Sequence, residues 1–252
     1  MIFAAGLGTR LKPLTDRIPK ALVPVGGVPL LSIVVDRLKS AGYDDIVINV
    51  HHFADMVEDY VHSRNDFGIK ISFSDERDML LDTGGGVRHA RSLLEGSGRF
   101  LVHNVDILSD VDFGRFSEAV SPDSLASLLV SPRKTSRYLL FDSGMRMTGW
   151  TDVRTGQVRT PYESPDTAAR YAFSGIHILS DRIFPLLEEY VSRRERSGEA
   201  VPGKFSITDF YIDICRSERV EGIAVPGLHL LDVGKQESLS AAEQFIMDYP
   251  VE

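Results

Sequence analysis

The sequence predicts an α/β protein with a mainly parallel sheet, helices on both of its faces and a β-rich insertion over one edge. Three observations lead there. Over the first hundred residues, short β-branched runs alternate with amphipathic stretches, which is the pattern of βαβ units. Over residues 125–178, strand and turn signals follow one another without helices between them. Helical signals then return toward the C-terminus.

Ile2–Ala5 reads as a short strand running into a Gly-rich loop. Pro29–Ser40 reads as a helix, because Leu30, Leu31, Val34, Val35 and Leu38 recur at helical spacing and Gly42 follows as a stop. Asp45–Val50 is a predicted strand, Phe53–Ser63 a helix and Ile69–Ser74 a strand. Gly85–Leu94 is a predicted helix after a glycine run, and Phe100–His103 a strand. Ligands of such sheets sit outside the carboxyl ends of the strands. The middle region offers strands at Leu125–Val130, Tyr138–Phe141, Met147–Trp150 and Tyr171–Leu179, with turns at Asp142-Ser143-Gly144 and Thr155-Gly156. Ser180–Arg194, Ser206–Ser217 and Lys235–Met247 are predicted helices, with a short strand near Val220–Val225. Ser192–Gly203 is polar with Gly and Pro and is expected to be an exposed loop.

Composition excludes several classes. Lys and Arg number 28 against 36 Asp and Glu, a net charge of −8, which argues against nucleic acid as a partner. The single cysteine, Cys215, permits neither an internal disulfide nor a cysteine-rich zinc site, so a reducing, cytoplasmic setting is expected. No apolar run approaches a membrane span, and the N-terminus lacks the features of a secretory signal, so no membrane partner is expected.

The strongest motif is Ala4-Ala5-Gly6-Leu7-Gly8-Thr9-Arg10, continuing through Pro13, Thr15, Pro19-Lys20 and Pro24 to Gly26-Gly27. Small residues at Ala5, Gly6 and Gly8 let backbone N–H groups approach an anion. Thr9 adds a hydroxyl, Arg10 a fork that matches phosphate, and Lys20 a point charge. The dinucleotide fingerprint fails, because Leu11 stands where it needs a third Gly, and the Walker spacing is absent.

With its full spacing, this loop resembles that of the sugar-1-phosphate nucleotidylyltransferases, which join an NTP to a sugar 1-phosphate and release pyrophosphate. The resemblance continues at Leu81-Asp82-Thr83-Gly84-Gly85-Gly86, Val102-His103-Asn104-Val105-Asp106-Ile107, Phe173-Ser174-Gly175-Ile176 and Leu231-Asp232-Val233-Gly234-Lys235. It therefore spans nearly the whole chain. Within the family it runs to the short form acting on N-acetylmuramate 1-phosphate and to mannose-1-phosphate guanylyltransferase-like proteins. It implies a Rossmann-like three-layer sandwich with a mixed, mainly parallel sheet and a β-rich sugar-binding lid, the nucleotide-diphospho-sugar transferase fold. The whole of 1–252 is then one domain, with a nucleotide-binding half at 1–120 and a sugar-binding half with the lid at 121–252.

The resemblance assigns roles. Arg10 holds the β- and γ-phosphates; Lys20 neutralises the α-phosphate and the incoming sugar phosphate. Asp106 and Asp232, both expected at strand ends, hold Mg²⁺. Arg10, Lys20 and Asp106 are the catalytic set. Ala4, Ala5, Gly6, Gly8, Thr9, Thr83, Gly84 and Gly85 join Arg10 and Lys20 in binding the nucleotide, with UTP favoured and GTP next. Asn104, Ser174 and Gly175 bind the sugar. Two departures stand out: Val105 replaces a glycine usual before the acidic residue, and no Glu-Lys-Pro precedes the Ser-Gly strand. In that region Arg159 and Arg170 are the available cations, with nothing to choose between them. Thr208-Asp209 reads equally as a helix cap or a ligand contact. His51-His52, Cys215 and Arg193-Arg194-Glu195-Arg196 read as structural or solvated residues. Two other functions remain in view, a non-catalytic nucleotide- or sugar-sensing module of this fold and a nucleotide-dependent oxidoreductase, the latter disfavoured by Leu11.

Overall fold

The structure is a computed structural model in which residues 1–164 and 167–250 are described. The α/β class expected from the sequence is what is observed. The chain gathers into two compact units, one built from Met1–Leu80, His103–Gly114 and Leu228–Glu252, the other from Leu81–Val102 and Arg115–Gly227.

In the first unit, strands Ile2–Phe3, Asp45–Val50 and Lys70–Asp75 run parallel, and the end of the strand Arg99–Asn104 pairs on the other side of Ile2–Phe3. The crossovers carry helices Leu30–Ser40 and Ala54–Ser63. The first forms because its apolar residues share one face: Leu30, Leu31, Val34, Val35 and Leu38 are all buried. Each such burial contributes about 1.5–3 kcal/mol relative to exposure. The strand register sets Phe3 beside both Asn49 and Asn104, so three strand ends open at one edge. A second ribbon pairs Ile107–Ser109 with Leu230–Asp232, antiparallel, with Asp232 opposite Ile107.

In the second unit the long strand Ala169–Ser180 pairs antiparallel with Ala126–Ser131 and Arg137–Phe141. Met147–Asp152 and Gln157–Arg159 extend the Arg137–Phe141 side, and Val220–Ala224 pairs parallel with Ala126–Ser131. Ala126–Ser131 is buried throughout, as a strand covered on both faces should be. Helices Asp82–His89, Arg91–Leu94, Ile183–Arg196 and Ile207–Ile214 belong to this unit.

Three expectations need correction. The first strand ends at Phe3 rather than Ala5, because the N–H groups of Ala4 and Ala5 turn to a side chain. The helix expected after the glycine run begins before it, at Asp82, and Gly84–Gly86 lie inside it. The polar stretch expected as a loop from Ser192 is helical through Arg196. Arginines at 193, 194 and 196 sit in that helix's last turn, where cations meet the negative end of its dipole.

Candidate active site

The Gly-rich loop is held from beneath. The Oδ1 of Asn49 accepts the N–H of Ala4 at 2.7 Å and of Ala5 at 3.2 Å. Its Nδ2 donates to Glu76 Oε1 at 2.7 Å, and both side chains are buried. The amides of Ala4 and Ala5 thus position the loop through Asn49. Gly8 adopts a left-handed φ of 61°, and a Cβ there would stand 2.8 Å from Thr15 Cγ2. The Gly8 carbonyl accepts both the Thr15 hydroxyl and the Leu11 N–H at 2.8 Å. Leu11, which broke the dinucleotide pattern, is fully buried and anchors the turn Thr9–Leu11. Thr9 and Arg10 face outward. Gly6 is exposed, and a Cβ built on it meets nothing within 4 Å. Packing therefore gives no reason for a glycine at position 6; the bare Cα leaves room above the loop.

Four charged residues from four separate segments form two pairs, Lys20 with Asp106 and Arg10 with Asp232. Lys20 follows Pro19 in the short turn Lys20–Leu22, which buried Ala21 and Val23 anchor. Its Nζ donates to Asp106 Oδ2, and the two side chains are only 13% and 15% exposed. Asp106 sits just past the end of the strand Arg99–Asn104. Val105 before it is buried with no positive φ, which is why a β-branched residue serves there instead of glycine. Asp232 closes its strand opposite Ile107, and the next N–H, of Val233, donates to the Asp106 carbonyl at 2.8 Å. A Cβ on Gly234 would lie 2.6 Å from Arg10 Nη2 and 2.6 Å from Asp232 Oδ1. The guanidinium and the carboxylate therefore crowd the same bare Cα. Asn104 ends its strand beside Phe3 at the same edge.

The site balances two cations against two carboxylates. No cluster of three or more His, Cys, Asp or Glu suited to a metal exists among the described residues. A pair of carboxylates fits Mg²⁺, which is commonly held by one or two carboxylates together with substrate phosphates and water. Asp106 and Asp232 offer hard oxygen donors from adjoining backbone, and the donor set fits the ion.

The remaining expected residues lie in the second unit. Gly84 and Gly85 both direct their N–H groups at the Phe205 carbonyl, at 2.9 and 3.3 Å. A Cβ on Gly84 would strike the Phe205 ring at 2.4 Å, and one on Gly85 the Gly203 carbonyl at 2.3 Å. These glycines allow the 203–205 segment to pack on the helix. Thr83 Oγ1 accepts the Ile207 N–H at 2.9 Å. Ser174 is fully buried and its Oγ has no hydrogen-bond partner among the described residues, while Gly175 takes a φ of 73° where the register of its strand shifts. Ser206 is the cap of the helix Ile207–Ile214, accepting from Thr208 N–H, and Asp209 instead binds Arg159 Nη1 at 2.6 Å. A cavity of about 480 Å³ opens here, lined by Arg133, Tyr138, Trp150, Arg159, Phe173 and Asp209 among others.

Sequence reading missed Asn49, Glu76 and Arg133, and it named Thr15 and Gly234 as motif positions without giving them a role. A lone Asn in the apolar run Asp45–Val50 was the one available signal. The residues set aside behave as expected: His51 Nδ1 bonds the Glu76 carbonyl at 2.7 Å, and burial pushes the Cys215 thiol up to about 11.

The family described as nucleotidyl transferase matches residues 1–249. An N-acetylmuramate alpha-1-phosphate uridylyltransferase of Caulobacter vibrioides is 35% identical over 247 residues, covering 96% of this chain and 94% of the relative. A mannose-1-phosphate guanyltransferase of Kluyveromyces lactis is 36% identical over 120 residues, covering 47% of this chain and 33% of the relative. The structure of an inositol-1-phosphate CTP transferase from T. maritima superimposes with a TM-score of 0.72 at 15% identity, covering 97% of this chain and 94% of that one. That likeness is one of fold: an α/β architecture with a parallel core and antiparallel edges.

Proposed function

The chain belongs to the nucleotidyl transferase family, and on that premise we propose that it joins an NTP to a sugar 1-phosphate, with UTP preferred over GTP, and releases pyrophosphate. The observation that carries this reading is the Lys20–Asp106 pair, joined through the Val233 N–H to the segment where Arg10 and Asp232 share the bare Cα of Gly234. The uridylyl preference is supported by the full-length match to a uridylyltransferase, against a match to the guanyltransferase that covers less than half of the chain.

An oxygen of the sugar phosphate attacks the α-phosphorus. The new O–P bond forms as the bond to the β-phosphate oxygen breaks, and pyrophosphate leaves with that electron pair. The attacking oxygen is already ionised at neutral pH, so no strong base is needed, and positioning with charge stabilisation does the work. The Arg10 fork grips the β- and γ-phosphates. Lys20 exchanges Asp106 for phosphate oxygens at the reacting centre. Asp106 and Asp232 would hold Mg²⁺, which supplies neutralisation where two anions approach. A sensing module would bind nucleotide without turnover, and it would have no need of the Lys20–Asp106 pair.

The test is pyrophosphate release in a grid of UTP, GTP, CTP and dTTP against the 1-phosphates of N-acetylmuramate, N-acetylglucosamine, mannose and glucose. Release should require both substrates and be fastest with UTP; nucleotide binding without release would instead support the sensing module. The Gly6→Ala variant gives a local check. Its methyl meets no protein atom, so the melting temperature should hold, while UTP affinity measured by calorimetry should fall about tenfold, the cost of roughly 1.4 kcal/mol of displaced contact. Unchanged affinity would mean that the triphosphate does not lie over Gly6.

A further inference from the structure

The ends of three parallel strands, Ile2–Phe3, Asp45–Val50 and Lys70–Asp75, lie side by side beneath the Gly-rich loop, all within the first unit. Phe3 pairs in register with Asn49. The Glu76 N–H donates to the Val50 carbonyl at 2.8 Å, which carries the strand pairing one residue further. Backbone therefore fixes both Asn49 and Glu76, and the two residues are only 3% and 2% exposed. The Asn49 Oδ1 takes the Ala4 and Ala5 N–H groups, while its Nδ2 donates to Glu76 Oε1. Reversed, the same amide would turn its NH2 toward two further donors. A carboxylate offers acceptors alone, so Glu76 favours the one orientation in which the Asn49 oxygen faces the loop. Beyond Ala5 the pattern changes. Among the described residues, the N–H groups of Gly6, Leu7 and Gly8 donate to no protein acceptor. Two amides are held by the scaffold, and the three that follow are left for an anion.

We propose that Asn49 and Glu76 are positioning residues for nucleotidyl transfer, holding the start of the loop in the arrangement that aims the amides of Gly6, Leu7 and Gly8 at the triphosphate. The inference rests on the nucleotidyl-transfer reading and deepens it. Glu76 acts through Asn49, and Asn49 acts through the backbone of Ala4 and Ala5. Buried side chains on rigid strands suit this role, because a donor set displaced by about 1 Å can cost about 10²-fold in rate. The arrangement also predicts its own rescue. The loop requires an acceptor at position 49, and that acceptor requires a bonding partner at position 76. Asn49→Asp combined with Glu76→Gln meets both conditions with the polarity of the pair reversed. The glutamine amide then donates, the aspartate accepts from it and from the loop, and the buried charge is unchanged.

Asn49→Asp alone sets two carboxylates against each other where a hydrogen bond of 2.7 Å now stands. At pH 8, where a shared proton is disfavoured, it should raise the KM for UTP about tenfold and lower kcat/KM by about 10²-fold, with the KM for the sugar phosphate within about threefold of wild type. Glu76→Gln alone keeps an acceptor but lets the pair reverse, and should lose about threefold to tenfold. The double variant should return to within about threefold of wild type, a coupling that independent effects do not give. Each protein is assayed well below its own melting temperature, so that a merely structural role shows as a lower melting temperature with unchanged kinetics. That outcome, or a double variant as impaired as the product of the single losses, would overturn the proposal. Calorimetry with inorganic triphosphate separates it from the reaction. If no sugar phosphate is turned over, the proposed reaction fails, yet triphosphate binding weakened in Asn49→Asp and restored in the double variant would still support the positioning role. Binding absent from the wild type, or equal in all four proteins, would overturn it.

Discussion

Asp106→Asn should lower pyrophosphate release by about 10³-fold or more, at the upper end of what removing one electrostatic stabiliser costs. The substitution is nearly isosteric, so the chain should stay folded. The asparagine oxygen still accepts from Lys20, but the pair loses its charge assistance, and a stability loss of about 1–2 kcal/mol is expected from that alone. Lys20 and Asp106 are enclosed on most of their surface, which makes the loss larger than for an exposed ion pair. Asp232 provides the contrast, because it is exposed and makes no ion pair among the described residues. Asp232→Asn should therefore reduce turnover by a comparable factor with little change in denaturant midpoint. Release kinetics alongside urea titrations of both variants check this. An Asp106→Asn protein retaining a tenth of wild-type turnover would remove the carboxylate from the reaction.

The parts of this site that the sequence made legible are those whose chemistry is local. Arg10 and Lys20 lie in a glycine- and proline-rich loop, a setting that suits anion binding and marks them as candidates in the sequence. The helix Leu30–Ser40 follows from five apolar residues at one spacing. Asp106 and Asp232 were foreseeable at strand ends because each follows a short apolar run. What stayed hidden is long-range. Asn49 matters only because strand register brings it beside Phe3, where it takes the N–H groups that a regular strand would have given elsewhere. Gly84 and Gly85 look, in the sequence, like backbone bared for a ligand. The side on which a Cβ would stand is filled by Phe205 and Gly203, partners far along the chain. Gly6 and Gly84 carry the same letter for opposite reasons, one keeping space open and the other letting a ring close in. Arg133 belongs to no motif, and only the folded strands bring it into one cavity with Arg137 and Arg159.

Lys20→Met should separate two properties that usually fall together. Turnover should drop about 10²–10³-fold, because the charge that offsets the reacting phosphates is gone. Divalent-ion affinity in the absence of nucleotide should move the other way. In the free protein the Lys20 ammonium donates directly to the Asp106 carboxylate, and a cation binding there must displace it or share the oxygen. Removing the ammonium frees the carboxylate and removes a like-charge repulsion at short range in a partly water-excluded site. Mn²⁺ titrated by electron paramagnetic resonance should therefore bind the variant more tightly than the wild type, by up to about tenfold if roughly 1.4 kcal/mol of repulsion is relieved. Asp106→Asn, by contrast, should weaken Mn²⁺ and turnover alike. Methionine nearly matches the length of the lysine stem and tolerates its apolar surroundings, so the turn Lys20–Leu22 should persist. Weaker Mn²⁺ binding in Lys20→Met would place the ion away from Asp106 and leave the Lys20–Asp106 pair a structural clasp.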